Sequence, residues 1–530
     1  MHLEIDGYHI DKDYFTDAEY TGLKNELKVK PTNNMFEKDE IVYKQYRVTD
    51  DEIIIPKFFG NDKFKKLKRK KEAKKADINF LPELRDYQKP ITEKCIQHIL
   101  QHGGCQLSVP CGRGKTVMAI YIAHKLGLKT LILVHKSFLQ DQWIERIKQF
   151  TGLDCGIIRR DEIDTNFHFI VGMIQSIGSR DYGDIYNDFG LVICDECHHY
   201  ASAWFSQSIS KVTGLAYTLG LSATLYRNDG MVKVIYWYLG DVAYKEKMKS
   251  NNQVCVKVLT YNSSDTKRFV DISRQFKGRS LPNCTSMINN IVEIDSRNKI
   301  LISVINELRK NPNRKILILS GRKESHLHML KIEVDKLIEK DIKENKIIKD
   351  ECKTYFYTGD TKQKDRFEAE KNADVLFATY EMAQEGLDIE RLNTVILSTP
   401  KKDVVQAVGR VLRKILKDGD IRPLIIDIVD DFSIFKSQAI VRENFYKKNN
   451  YVLNYYYLYD DAFISPKEYI NMNGSQYDNY SEKKPKSMEE MLKTQPVEFT
   501  IDDSNSNSSN SKSSRKSEKK KLLDLFGIIE

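Results

Sequence analysis

The chain has 530 residues, 41% hydrophobic and 30% charged, enough for two to four packed domains. No apolar run approaches the roughly 20 residues that span a bilayer, and the opening MHLEIDGYHIDKD lacks the basic and apolar regions of a signal peptide, so an exported or membrane-spanning protein is not expected. The nine cysteines then read as reduced thiols of an intracellular protein, and 84 Lys and Arg against 75 Asp and Glu, a net +9, lean towards a polyanion partner.

Residues 1–62 carry short alternating runs such as DEIIIPKFF and predict a small N-terminal α+β accessory domain. The run KFKKLKRKKEAKK, Lys63 to Lys75, predicts a basic linker over 63–79, read as a solvated helix or connection. LRDYQKPITEKCIQHIL then has helical apolar spacing. Six brief apolar runs follow: QLSV, TLILV, CGII, HFIV, LVIC and TLGLS. Amphipathic segments such as SFLQDQWIERIKQF separate several of them. Buried strands alternating with helices imply a parallel sheet covered on both faces, assigned to 80–245. The rhythm pauses over 246–285. It restarts in KILILS, KTYFY, ADVLFAT, NTVILS and PLIIDI, which predict a second α/β unit over 286–435. KIEVDKLIEKDIKENKIIKDE predicts a charged helix with a solvated face. Residues 436–502 form a Tyr- and Asn-rich accessory region. The Ser-, Asn- and Lys-rich stretch within 503–530 reads as disordered, and its terminal LLDLFGIIE suits docking on a protein partner.

SVPCGRGKT, Ser108 to Thr116, lies between a strand and the helical VMAIYIAHKL. Gly112 and Gly114 let the backbone wrap phosphate oxygens with amides pointing inward. Lys115 suits the outer phosphates, the Thr116 hydroxyl suits Mg2+, and the helix start adds partial positive charge. The full phosphate-loop pattern wants glycine where this chain has Val109. The pattern implies ATP with Mg2+. Such a loop needs a second magnesium holder at the end of a neighbouring buried strand.

LVICDECHHY, Leu191 to Tyr200, supplies one. Cys194, Cys197 and His198 also permit a metal, redox or haem reading, but no second Cys or His pair lies at zinc spacing. The carboxylates fit better. Asp195 orients Mg2+ through water and Glu196 takes a proton from the attacking water. Cys194 is then a small buried residue. Trp143 reads as core packing rather than a base-stacking platform.

These motifs, followed by SAT at Ser222, Ala223 and Thr224 and by QAVGRVLR at Gln406 to Arg413, form an ordered set over residues 80–435. It resembles the superfamily 2 helicases and translocases of the DExH type. The resemblance implies two tandem RecA-like domains with ATP in the cleft between them and nucleic acid crossing both. It implies that Gln88 reads the adenine edge, with Arg85 beside it, and that VHKSFLQDQW and VGMIQSI contact the strand. It makes His198, Ser222, Ala223 and Thr224 the coupling segment, with His198 favoured over His199. In FATYEMAQEGLDI, Gly386 and Asp388 would meet the nucleotide. In QAVGRVLR, Gln406 would sense the γ-phosphate while Arg410 and Arg413 reach across as arginine fingers.

More finely, VPCGRGKT, LSATLYRND and GRVLR resemble the XPB-like branch, with its phage recombination helicases and poxvirus-type transcript-release helicases. That branch acts mainly on DNA, single- or double-stranded, which is the expected partner; RNA is the alternative, and an ATP-binding scaffold without turnover a third reading. Where XPB has an Arg-Glu-Asp triplet, this chain has Arg227, Asn228 and Asp229, so the central acid is missing. The whole is similar to helicases of large DNA viruses, which points to a cytoplasmic viral factory, the nucleus or a virion.

Overall fold

A computed structural model describes residues 1–30, 42–68, 72–110, 112–201, 208–223, 230–246, 253–276, 278–348, 351–385, 387, 389, 391–411, 420–473 and 484–493. In the N-terminal domain, β1 (His2–Glu4), β2 (Gly7–Asp11), β5 (Arg47–Val48) and β6 (Glu52–Ile55) form an antiparallel sheet in the order β1-β2-β6-β5. A second pair, β3 (Lys28–Val29) and β4 (Tyr43–Lys44), lies beside it. The helix Asp17–Glu26 starts at a reciprocal capping box between Thr16 and Glu19, the arrangement that satisfies two orphan amides at once. Tyr8, Ile10, Ile53 and Ile55 share one apolar core with Leu131, Ile170 and Val192 of the next domain. Lys57 is buried between the two, and its Nζ donates to the carbonyls of Gly103, Leu215 and Ala216 at 3.2, 2.8 and 3.0 Å.

Among its described residues, 63–68 and 72–79, the basic linker does not continue as a helix beyond Lys63. Residues 74–76 run extended against the first large sheet: Lys74 N donates to Asp188 O and Ala76 N to Gly127 O, both at 2.9 Å. Ala76 and Ile78 are buried there. The two apolar side chains anchor a stretch whose composition alone suggests solvent.

The first large sheet contains β7 (Gly104–Ser108), β8 (Thr130–Val134), β9 (Cys155–Arg159), β10 (Glu162–Asp164), β11 (Phe169–Met173), β12 (Leu191–Cys194), β13 (Tyr217–Ser222) and β14 (Val242–Lys245). Its order is β10-β9-β11-β8-β12-β13-β7-β14. Only the edge strand β10 is antiparallel. All five residues of β7 and of β8 are buried, as a sheet covered on both faces requires. The helices Gln88–His102, Lys115–Leu126 and Ser137–Thr151 each end at a glycine in the left-handed region, Gly103, Gly127 and Gly152, where a side chain would be strained.

The second large sheet contains β15 (Cys255–Asn262), β18 (Ile316–Ser320), β19 (Thr354–Tyr357), β20 (Val375–Thr379), β21 (Thr394–Leu397), β22 (Leu424–Asp430), β23 (Val452–Tyr459) and β24 (Ala462–Ile464). The hairpin β16 (Ser273–Phe276) and β17 (Arg279–Pro282) projects between β15 and β18 in the chain. The order is β19-β20-β18-β21-β22-β15-β23-β24. The five runs expected as strands are β18 to β22. Three further strands come from segments assigned elsewhere: β15 from the 246–285 segment, and β23 and β24 from the 436–502 region, with β15 and β23 paired in parallel over eight residues. The charged segment forms the helix His328–Lys343, which buries Leu330, Val334 and Ile338 at helical spacing.

Together the sheets are α/β and consist of two tandem RecA-like domains. Phe138 packs against the cores of both. The 503–530 tail, with LLDLFGIIE, lies outside the described residues.

Candidate functional site

Strand order builds the site. The SAT strand β13 sits between β7, which leads into GRGKT, and β12, which leads into DECH. Register places Ser108 opposite Ser222 and Cys194 opposite Gly220. Three segments distant in sequence therefore end side by side at the carboxyl edge of one parallel sheet, where open α/β sheets bind ligands.

Gly112 and Gly114 have φ of +79° and +81°, a region open to glycine and costly for side chains. A Cβ on Gly114 would also lie 2.4 Å from Gln88 Nε2. The helix Lys115–Leu126 starts directly after Gly114, so its first-turn amides face the loop and meet no side-chain cap. Lys115 Nζ lies 3.3 Å from Glu196 Oε1. Glu196 holds a left-handed backbone, φ +47°, a strained state of the kind that collects at functional sites. Asp195 Oδ1 accepts from Glu196 N at 3.0 Å, and Oδ2 accepts from the Trp143 indole N–H at 2.9 Å.

Burial first, and then the Glu196 carboxylate, push the Asp195 carboxyl above its ordinary range, while Lys115 and the indole N–H pull it down. Two buried carboxylates facing one ammonium are a donor set that a divalent cation would complete, and Thr116 offers a hydroxyl in the first turn of the helix that Lys115 opens. The residues therefore fit Mg2+. Cys194 and Cys197 are fully buried in the apolar core, and burial pushes both thiols up.

His198 Nδ1 lies 3.0 Å from Ser222 Oγ and 3.3 Å from Glu196 Oε2, so it joins the SAT strand to the carboxylate. Ala223 follows β13; Thr224 and the triplet Arg227, Asn228 and Asp229 lie outside the described residues. Gln88 is 3% exposed and does not simply solvate its helix. Its Oε1 accepts from Arg85 N at 3.0 Å and its Nε2 donates to Arg113 O at 3.1 Å. The Arg85 side chain is exposed. Gln406 and the backbone of Arg410 lie on the helix Val405–Val411 of the second domain. Gly386, Asp388 and Arg413 lie outside the described residues.

Several contacts that the sequence does not announce also meet here. Trp143 is buried, as core packing predicts, yet its N–H orients Asp195. Arg113 stacks on Tyr87, 3.9 Å from the ring centre, and pairs with Glu246 through two bonds of 2.9 and 2.7 Å. The rings of His135, His199 and His198 form a column with centres 4.6 and 4.1 Å apart. Gln175 Nε2 donates to His135 O at 2.6 Å, and Ser176 Oγ accepts from Arg160 N at 2.9 Å. The VHKSFLQDQW and VGMIQSI segments are thus bonded to each other and to their surroundings. Tyr87, Arg113, His135, Trp143, Gln175, Ser176, His198 and His199 lie in motifs that the sequence singles out, whereas Arg160 and Glu246 do not, and no sequence spacing announces the pairs themselves.

A cavity of about 530 Å³ opens between the domains beside that column. Lys136, Arg159 and Arg160 line it from the first domain, and Arg366, Thr379 and Glu381 from the second. Lys136 and Glu381 form an ion pair across it. Clustered cations over both domains suit a polyphosphate backbone.

Residues 81–227 match the family described as "Type III restriction enzyme, res subunit", and residues 296–414 match "Helicase conserved C-terminal domain". The chain is 35% identical over 509 residues to "Putative ATP-dependent RNA helicase L396" of Acanthamoeba polyphaga mimivirus, covering 92% of this chain and 94% of that protein. The chain is a superfamily 2 helicase. It is also 28% identical over 393 residues to "Putative helicase 161L" of Invertebrate iridescent virus 6, covering 72% of this chain and 84% of the relative. Among solved structures, S. cerevisiae Dbp5 bound to RNA and ADP BeF3 aligns with 70% of this chain and 90% of its own at 13% identity and a TM-score of 0.47. The two family models and the 35% identical relative make this helicase a nucleic-acid-dependent ATPase, and both of these curated relatives are viral. No helix among its described residues is long and apolar enough to cross a membrane.

Proposed function

We propose that this helicase couples Mg–ATP hydrolysis in the cleft between its RecA-like domains to movement along DNA. In this reading Gly112, Gly114 and Lys115 cradle the phosphates, and Gln88 and Arg85 meet the adenine. Thr116 and Asp195 would hold Mg2+, which would neutralise charge developing on the phosphate oxygens. Glu196 takes the proton of the attacking water, and its contact with Lys115 breaks when phosphate claims the ammonium. Gln406, Arg410 and Arg413 add positive charge from the second domain, with Gly386 and Asp388 beside the nucleotide, so turnover requires closure. His198, Ser222, Ala223 and Thr224 transmit that closure to the strand-gripping loops.

The observation that carries the reading is the convergence of Lys115, Asp195, Glu196, His198 and Ser222 on neighbouring strand ends. The preference for DNA rests on the XPB-like residues. RNA is the second reading, favoured by the name of the mimivirus relative. Phosphate contacts position either polymer equally, so substrate class is a measurement. Turnover is compared with no nucleic acid, single-stranded DNA, duplex DNA and single-stranded RNA, with Glu196→Gln as the blank. Stimulation by DNA well above RNA is expected; stimulation by RNA alone overturns the DNA assignment. Lys115→Ala is expected to abolish turnover, and normal turnover in it overturns the phosphate-loop assignment.

A further inference from the structure

We propose that His2, His9 and Glu52 form a transition-metal site of the zinc class on the N-terminal sheet. The three residues come from three adjacent strands, β1, β2 and β6. His2 is the direct cross-strand partner of His9, and Glu52 lies two residues from Ile54, the partner of His9 on the other side. Side chains in such registers project from one face.

The spacing fits a tetrahedral ion. Ligand atoms about 2.0–2.1 Å from zinc lie roughly 3.3–3.4 Å from each other. His9 Nδ1 is 2.9 Å from Glu52 Oε2, and His2 Nδ1 is 3.5 Å from Glu52 Oε1. One donor atom from each residue falls within 4.8 Å of the others, and small side-chain rotations close the difference. Two imidazoles and one carboxylate suit zinc and its neighbours, whereas Mg2+ and Ca2+ select oxygen sets.

A supporting shell is also built. His9 Nε2 lies 2.9 Å from Asp6 Oδ1, and Asp6 Oδ2 accepts from Arg47 Nη2 at 2.8 Å. Metal-bound imidazoles are habitually fixed by a carboxylate on the other ring nitrogen. An ion-pair cluster alone accounts for His9 between Asp6 and Glu52. His2 pairs with the same Glu52 carboxylate and stacks on His9 with ring centres 4.7 Å apart, so both imidazoles converge on one acid. The His2 side chain is 40% exposed and that of Glu52 22%, leaving a route for the ion and a fourth position for water. The bound ion would tie the edge strand β1 to β6. The turn joining β1 and β2 is where Ile5 O accepts from Gly214 N of the first RecA-like domain at 2.8 Å, so the ion would also steady that junction.

The test uses the full chain, stripped by a chelator and titrated with Zn2+ against a chromogenic competitor, then with Co2+ as a spectroscopic probe. One equivalent is expected, with a tetrahedral Co2+ spectrum lacking thiolate charge-transfer bands. His9→Ala and Glu52→Gln should each weaken binding at least about tenfold, and Asp6→Asn by roughly 10- to 100-fold. His2→Ala, on the edge strand, should weaken binding while ATP turnover persists, which separates ligand loss from unfolding. No stoichiometric binding overturns the proposal. So does binding that survives both His2→Ala and His9→Ala, since the cysteines would then be its source.

Discussion

Trp143→Phe removes one indole N–H and keeps an aromatic ring in the core. In the wild-type protein that N–H donates to Asp195 Oδ2 at 2.9 Å, out of contact with water. A hydrogen bond to a charged group contributes about 1.5–3 kcal/mol, and each 1.4 kcal/mol is a factor of about ten. If Asp195 holds Mg2+ through water, its misorientation should raise the Mg2+ concentration for half-maximal turnover by about tenfold to a hundredfold. The sign is supported by the titration of the site. The indole is one of the groups opposing the upward push of burial and Glu196 on Asp195, so removing it favours the protonated carboxyl, which binds Mg2+ poorly. The assay is steady-state ATP turnover against Mg2+, with thermal unfolding to verify the fold. Asp195→Asn serves as the reference: in that background Trp143→Phe should add little, because the two residues act as one unit. A folded Trp143→Phe protein with wild-type Mg2+ dependence and turnover would refute the reasoning.

Glu381→Gln should tighten nucleic-acid binding by up to about fivefold by releasing Lys136 from its cross-domain pair, a modest gain because exposed ion pairs contribute at most about 1 kcal/mol; unchanged affinity at low salt would show that the pair does not compete with the backbone. Arg297 and Asp430 are 1% and 0% exposed and joined by bonds of 2.6 and 2.9 Å, so Arg297→Met should cost about 3–5 kcal/mol by stranding a buried carboxylate, read from the urea midpoint. His326 is neutral in the fold. Its Nε2–H donates to Asn298 Oδ1 at 3.2 Å, and its Nδ1 accepts from Ser320 Oγ at 2.9 Å; burial, then Arg297, hold its pKa well below the ordinary value. The unfolded chain therefore takes up the proton first, below about pH 6.5, and this contribution to stability is lost as pH falls towards the folded-state pKa, by up to about 1.4 kcal/mol per pH unit. His326→Gln should flatten that part of the urea-midpoint profile; an identical slope would mean another group titrates. Gly114→Ala should weaken nucleotide binding, since φ of +81° strains any side chain and a methyl there would push against Gln88 Nε2, and unchanged binding would show that the loop rearranges.

Much of the α/β organisation was legible because it rests on local pattern. Runs such as TLILV and LVIC are buried on both faces and have few alternatives to a parallel strand. GRGKT was legible because its glycines answer a backbone demand, φ of +79° and +81°, that few other residues meet. The strand β23, VLNYYYLY, was harder: tyrosine belongs equally to surfaces and cores, and its partner β15 lies 197 residues away by register. In the basic run, Lys63, Lys65, Lys66, Lys68, Lys74 and Lys75 are exposed; what composition does not announce is the burial of Ala76 and Ile78 just after it.

What the sequence by itself determined is the inventory: a phosphate loop at the start of a helix, paired acids at the end of a strand, a family resemblance carried by ordered motifs, and the elements that hold them. Only the tertiary structure decided which of these touch. Placing β13 between β7 and β12 sets Ser222 against His198 and Glu196 against Lys115. Packing the helix Ser137–Thr151 on that sheet delivers the Trp143 N–H to Asp195. Local propensity acts over a few residues, whereas strand order and helix docking follow from burying the whole apolar surface at once, and that global requirement turned separate motifs into one site.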